Sequence, residues 1–541
     1  MSPPSRCSSC DDPGDPMETT PRVDDERIPE ANIAPIPTWQ FWLLCCGVCS
    51  GLLLSIIDSS ILATSLYTIG VEFQEHSLIN WVVLAYTLGY AGFIVSCSTL
   101  SDIVGRRNAF AASYILFVSF SIACGFSKHV KWLIICRGFQ GIGGSGLYAL
   151  SMIILTQQCP PQLRQYIGSI IGVRGHSWAC LGRDFSPIYE LAVDFLDEVC
   201  NPDHFDFVGT VLGITASILV VFAFQNAGES EPKTWRRPIF IAPLVVGLAC
   251  WLALFAWGFA IEKWFAQSIA PVFPIELLRN RRYARSMLTT FLLGYPYLLL
   301  IFLFPIRMQV VSDKSPLLAG LTLLPMLGTA AIGSMVSGKV NAVKDHLSGT
   351  LRCGSWLMGL GFVLLTTVRG PENDARALGF LAFVGFGFGL FTAAATNVIS
   401  VDVLTRQKAS AHGILAQARI LGGSLGVAVS TLFLHTEVIN RLPDILTPDE
   451  LAFMEGDMKN LRGDSLEAVK KAYSSTFHKS ITTAAVAACL AVLSTAFMSC
   501  HIRKRDIEQQ LQATVPRDGQ QRAVEPLIPL QGLTHSEDPM K

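Results

Sequence analysis

Apolar residues in this chain gather into long uninterrupted blocks, without the strict alternation of strands or the single stripe of soluble helices. A run of about 20 apolar residues crosses a hydrocarbon core of about 30 Å as a helix. Six blocks fall roughly at 41–63, 79–100, 109–126, 132–155, 208–225 and 238–258, and six more at 284–306, 317–338, 351–368, 378–400, 411–434 and 480–500. Gly141, Gly143 and Gly144 lie inside these blocks, as do Pro296, Pro305 and Pro325. Membrane helices tolerate such residues, and small ones let helices approach closely. The pattern predicts an all-α polytopic membrane protein with about 12 transmembrane helices.

Basic residues then orient it. Loops after even-numbered spans carry Arg106 and Arg107, Arg164, Arg279, Arg281, Arg282 and Arg285, Lys339, Lys344 and Arg352, and Arg406 and Lys408. Arg503, Lys504 and Arg505 follow the last span. The alternate loops are acidic or mixed, as at Glu72 and Glu75, Glu229, Glu231 and Lys233, and Asp313 and Lys314. Both termini are expected in the cytosol.

The expected organisation starts with a disordered cytosolic tail at 1–38 and a bundle of four spans at 39–165. An aberrant loop at 166–206 follows, then a linking pair of spans at 207–260. A second bundle of six spans covers 280–500, with an external loop at 435–478, and another cytosolic tail fills 501–541. The 166–206 stretch begins like a membrane helix at Tyr166–Gly172. It then meets Arg174, His176, Arg183, Asp184, Glu190, Asp194, Asp197 and Glu198, which leave no apolar window long enough to span.

Composition narrows the function. The chain is 51% hydrophobic and 15% charged, where soluble domains carry about a quarter charged residues. Its net charge of −1 gives no signal for nucleic acid. Most of the 15 cysteines, Cys45, Cys46, Cys124, Cys250 and Cys489 among them, lie in apolar runs and act as small hydrophobes. Cys7 and Cys10 form a lone CxxC with no second pair nearby, so no metal site is expected. No P-loop, HExxH or Ser/His/Asp spacing occurs, so neither a cofactor nor an enzyme is expected. The first 38 residues are polar and acidic, so the first span is expected to insert as an uncleaved anchor.

Four motifs resemble the major facilitator superfamily, specifically its fungal drug:proton antiporter branch, which normally has fourteen spans. Between the second and third spans, Asp102, Gly105, Arg106 and Arg107 match the signature D-x-x-G-R-R, with Ser98 where a glycine is usual. In the fourth span, Arg137, Gln140, Gly141, Gly143 and Gly144 match R-x-x-Q-G-x-G-G. The run starting at Asp58 is similar to the branch's D-x-T-I-V-x-x-A-L, and Trp81–Tyr86 to its W-V-x-x-A-Y. Asp206–Gly209, Ser315–Gly320 and Arg419–Gly426 fit as well. The departure is in the fifth span, where Gly182–Pro187 replaces the antiporter signature G-P-x-x-G-G. Two of the fourteen spans are read as lost or replaced near 166–206, which preserves the sidedness of everything downstream.

Ionisable groups inside a bilayer are functional candidates by default, because burying charge there is costly. Asp58 and Arg137 each lie about five residues from the outer end of their spans, roughly 7–8 Å deep at 1.5 Å per residue. That matched depth suggests a shared cavity in which Asp58 exchanges a proton. Burial favours the neutral form of such a carboxyl and a guanidinium the charged form, so a change of access would couple protonation to conformation. The alternative is a structural pair. The resemblance implies that Asp102, Gly105, Arg106 and Arg107 form a cytosolic latch, against a plain positive-inside anchor with a turn.

Gln140, Gly141, Gly143 and Gly144 are read as close-packing positions, with Gln140 a further cavity candidate. Asn397, His412, Gln417 and Arg419 are candidates for touching substrate, with inter-helix hydrogen bonding as the alternative. Arg307 and Asp402 are expected to snorkel from span ends, and Trp81, Tyr86, Trp251 and Trp257 to be core or belt residues.

The resemblance implies two helical halves built from inverted repeats around a central cavity. It implies proton-coupled efflux of a hydrophobic small molecule by a monomer in a fungal plasma membrane, with a vacuolar membrane as the alternative. The partners expected are the lipid bilayer, a small-molecule substrate and protons, with no nucleic acid. Proton-coupled uptake of an iron chelate or nutrient, and a transport-inactive membrane protein, remain open.

Overall fold

The computed structural model describes residues 76–158, 206–229, 237–264, 271–343, 346–368, 370, 373–403, 407–441 and 463–496. It also describes the isolated positions Cys45, Gly47, Val48, Ser50, Gly51, Leu54, Ser55, Asp58 and Phe73. These residues hold helices and no strand. The long helices are α1 (His76–Val104), α2 (Arg106–Gly125), α3 (Val130–Gln158), α4 (Phe207–Glu229), α5 (Pro238–Trp264), α6 (Arg281–Val310), α7 (Leu324–Val343), α8 (Leu347–Leu365), α9 (Asp374–Asp402), α10 (Lys408–Arg441) and α11 (Gly463–Ala496).

Ten of the expected spans fall on helices long and apolar enough to cross a membrane among the described residues. The block at 351–368 falls on α8, a 19-residue helix with Arg352 near its start. Of the first span, only the isolated positions from Cys45 to Asp58 are described, and each is helical. The 166–206 segment lies outside the described residues except for Asp206, and both tails lie wholly outside them.

Two boundaries need correction. The block at 317–338 is two pieces: a short helix, Pro316–Leu321, is capped by the Ser315 side chain and separated from α7 by a turn at Thr322 and Leu323. Pro325 explains the break, since its ring clashes with the carbonyl four residues back and offers no N–H. The external loop expected at 435–478 is shorter, because α10 runs to Arg441 and α11 starts at Gly463. The extra turns of α11 are amphipathic. Val469 and Ala472 pack on Val310, and Lys470 pairs with Asp313, so the helix continues past the point where apolarity ends.

Two bundles result. In one, α3 packs on both α1 and α2; in the other, α9 packs on α7 and α8, and α6 on α10 and α11. The bundles meet where α10 contacts α1, and α4, paired with α5, packs against both sides of that seam. Position follows burial: 72% of the apolar window of α3 is buried against 17% for α5, which presents Leu252, Phe259 and Trp264 outward. A carboxylate anchors the α4–α5 pair. Buried Asp206 accepts hydrogen bonds from the backbone N–H of Gly209 (2.7 Å), the Trp257 indole (2.8 Å) and the backbone N–H of Val272 (3.1 Å). Three donors satisfy a charge that would otherwise be costly to bury.

Candidate functional site

Arg137 lies seven residues into α3, about 10 Å along the helix. Its Nη1 donates to Asp58 Oδ2 at 2.6 Å, with both side chains largely buried. Three glycines of the same helix let α3 pack closely on α1 and α2. A Cβ on Gly141 would collide with the Tyr86 backbone of α1, and one on Gly143 would stand 2.6 Å from the Phe117 nitrogen of α2. A Cβ on Gly144 would stand 2.8 Å from the Tyr86 hydroxyl, which in turn bonds Ser55 at 3.0 Å. Gln140 faces α2: it is fully buried and accepts a weak bond from the Cys124 thiol, 3.8 Å away.

At the opposite end of the bundle, Arg106 pairs with Asp102 one turn before it and donates to the Ser101 hydroxyl and, at 3.4 Å, to the Ser98 carbonyl. Gly105 makes the corner between α1 and α2 with φ 91° and ψ 142°. A side chain there would find open space but a backbone region that only glycine visits freely. Arg107 is exposed. The latch residues cluster around the last turn of α1, with Arg107 outside.

The halves touch beside this corner. Ser98 is fully buried, and a Cβ on Gly413 of α10 would stand 2.7 Å from its hydroxyl. Nearby, the Tyr283 hydroxyl of α6 donates to the Ala411 carbonyl at 2.9 Å, which puts Arg282 at the same end as Arg106. Ala409 packs on Ile153, Ile154 and Leu155 of α3.

The four candidate cavity residues separate here. Asn397 is buried in α9. His412 is buried beside the seam, and its Nε2 has no hydrogen-bond partner among the described residues. Gln417 is a brace, with Nε2 donating to the Ala91 carbonyl of α1 at 3.3 Å and to the Ser217 hydroxyl of α4. Arg419 reaches across the seam: its Nη1 donates to the Tyr148 hydroxyl of α3 at 2.6 Å, and its guanidinium lies 5.6 Å from the Phe388 ring centre.

Arg307 does not snorkel, whereas Asp402 stays partly exposed at the end of α9. Arg307 is 1% exposed and donates to Asp374 at 2.9 Å and to the Gly370 carbonyl at 3.0 Å, with its guanidinium over Phe477. Asp402 receives Arg282 at 3.2 Å. Counting residues from a span end estimates depth but says nothing of a partner 67 positions away. Asp374, Tyr148, Ser217 and Phe388 were missed for the same reason. Trp257 could have been connected to Asp206, since both stand out by type, but no spacing rule joins them.

A helical membrane bundle of two halves, with paired charges inside each and a braced seam between, is the architecture of a secondary transporter. The sequence profile of the Major Facilitator Superfamily matches residues 48–177. The MFS-type transporter FPY5 of Fusarium mangiferae is 27% identical over 79% of this chain and 78% of its own length. The MFS-type efflux pump LUC4 of a Fusarium species is 26% identical over 78% and 79%. Multidrug resistance protein 3 of Bacillus subtilis is 25% identical over 78% and 85%. A solved bacterial homolog of the human lysosomal transporter Spinster covers 85% of this chain and 98% of its own, at 15% identity and a TM-score of 0.49. Over most of its length this chain is similar to membrane transporters of the major facilitator superfamily, and the relatives it matches are named as transporters rather than enzymes.

Proposed function

We propose that the chain exports a hydrophobic small molecule from a fungal cell in exchange for protons, with the Arg106 end and both termini in the cytosol. The single observation carrying this reading is the Asp58–Arg137 contact of 2.6 Å. It joins an acid and a base well inside the bilayer, and neither has another charged partner among the described residues. Such a pair holds while Asp58 is charged and releases when Asp58 takes a proton. The relatives named as efflux and multidrug proteins support the direction of transport.

The alternation has two physical parts. At the Arg106 end, the close approach of Gly413 to Ser98 joins the halves, and the Asp102–Arg106 pair holds the α1–α2 corner beside it. Proton entry at Asp58 would free Arg137 and loosen the first bundle, and loss of the proton on the cytosolic side would reset it. The test is accumulation of a panel of hydrophobic toxins in a pump-deficient yeast that expresses the chain. Native protein lowers accumulation of at least one compound in a proton-gradient-dependent way. Asp58→Asn reduces that effect at least about tenfold, the scale of one charge-assisted hydrogen bond. Undiminished gradient-driven export by Asp58→Asn would refute the reading.

A further inference from the structure

We propose that Arg419 is the anchor of a substrate site for aromatic or otherwise flat apolar compounds that carry one anionic group. This rests on the transport reading above and deepens it by naming the chemical class of the cargo. The residues lie at one depth. Tyr90 is midway along α1, Phe388 midway along α9, and Tyr148, Tyr297 and Arg419 fall near the middle of α3, α6 and the apolar part of α10. Arg419 is about 16 Å from the start of α10 at 1.5 Å per residue, near the centre of a core about 30 Å thick.

Around the guanidinium are ring faces and phenols. Tyr148 accepts from it, Phe388 lies under it, and Tyr297 stacks on Phe388 with ring centres 3.5 Å apart and planes within 5°. The ring centres of Tyr90 and Tyr148 lie 6.3 Å apart. Tyr90, Tyr148, Tyr297 and Arg419 are each only partly buried, although they lie at mid-depth beside the seam.

The charge balance points to an anion. Two other arginines buried in the bundles have carboxylates: Arg137 has Asp58 and Arg307 has Asp374. Arg419 has a neutral phenol and an aromatic face, and its buried Nε has no hydrogen-bond partner among the described residues. A guanidinium offers five donors in a planar fork suited to a carboxylate, so an entering anion would supply the missing counter-charge. Ring faces beside it would take a flat apolar body.

The test uses the full chain in lipid nanodiscs, with anthracene-9-carboxylate and its methyl ester as fluorescent probes and empty discs as the blank. The acid is expected to bind about tenfold tighter than the ester, as one charged hydrogen-bond pair allows. Arg419→Gln should remove the preference, so that acid and ester bind the variant equally, and measurable ester binding shows that the variant is folded. Equal binding of acid and ester to the native chain, or failure of both to bind, would overturn the proposal whether or not the variant folds. Gradient-driven flux of both probes in proteoliposomes separates the two readings. Acid preference without flux keeps the anion site and removes proton-coupled transport; flux without preference keeps transport and removes the site.

Discussion

Arg137 and Arg307 each hold a carboxylate in one half of the bundle, both on the side away from Arg106, and the two pairs are made differently. Arg307 has Asp374, the Gly370 carbonyl and the face of Phe477, and Asp374 has a second cation in Lys314 at 3.3 Å. Asp374 also opens α9, where the helix dipole favours negative charge. Every component of that pair is supported from two directions. Among the described residues Arg137 has Asp58 as its charged partner, inside the helical part of the first span. The two Nε atoms lack partners alike among the described residues, so the contrast lies in what surrounds the carboxylates. On the proposed reading, the pair with redundant partners is the permanent clasp and the Asp58–Arg137 pair is the one that a proton opens.

The largest expected effect comes from cutting both pairs in the same way. Asp374→Asn should cost about 3–5 kcal/mol, because it leaves a guanidinium 1% exposed without its counter-charge. Asp58→Asn also strands a guanidinium, but one 8% exposed and so closer to water, and should cost less, about 1–3 kcal/mol. Denaturant titration in mixed micelles measures both. Equal costs, or a larger one for Asp58→Asn, would mean that the first pair is a structural clasp too.

A smaller effect is expected at the seam. Gly413→Ala puts a methyl 2.7 Å from the Ser98 hydroxyl and 3.1 Å from its Cβ, an overpacking worth about 1–3 kcal/mol. Ser98→Gly, which restores the residue usual in the superfamily signature, should relieve it. If the Asp58–Arg137 pair moves with the seam, Gly413→Ala and Asp58→Asn should be non-additive in transport by more than about 0.5 kcal/mol. Gly413→Ala and Asp374→Asn should add in stability. Additivity in both cycles would uncouple the first pair from the seam.

Much of this molecule can be read from its amino acids, for a definite reason. Lipid requires every crossing segment to be apolar and helical, so a one-dimensional pattern marks α1 to α7 and α9 to α11 almost directly. The Arg106 corner is legible because Gly105 must reach a positive φ and the residues it joins are adjacent in sequence. The failures share a cause as well. Helix ends were lost where α10 and α11 continue through polar residues that find partners, as Lys470 does in Asp313. Arg307 was assigned to the interface because its partner lies on another helix. Arg419 was one candidate of four, and only the neighbours contributed by α3 and α9 distinguish it from Gln417, which braces the seam two residues earlier. Pairings between distant helices leave no periodic trace.

The smallest effect tests the redundancy directly. Lys314 approaches Asp374 from a turn in which its own backbone N–H bonds the Met308 carbonyl at 3.1 Å, and its side chain is 30% exposed. An ion pair with that access to solvent contributes about 0.5–1 kcal/mol at most. Lys314→Met should therefore lower stability by no more than that and leave transport unchanged, since Arg307 still holds the carboxylate. In the Arg307→Met background the same substitution should cost more than it does alone, because Asp374 then loses its last cation. A cost for Lys314→Met alone approaching that of Asp374→Asn would show that the second pair depends on one exposed lysine. It would then be as open to disruption as the first, and the contrast between clasp and switch would fail.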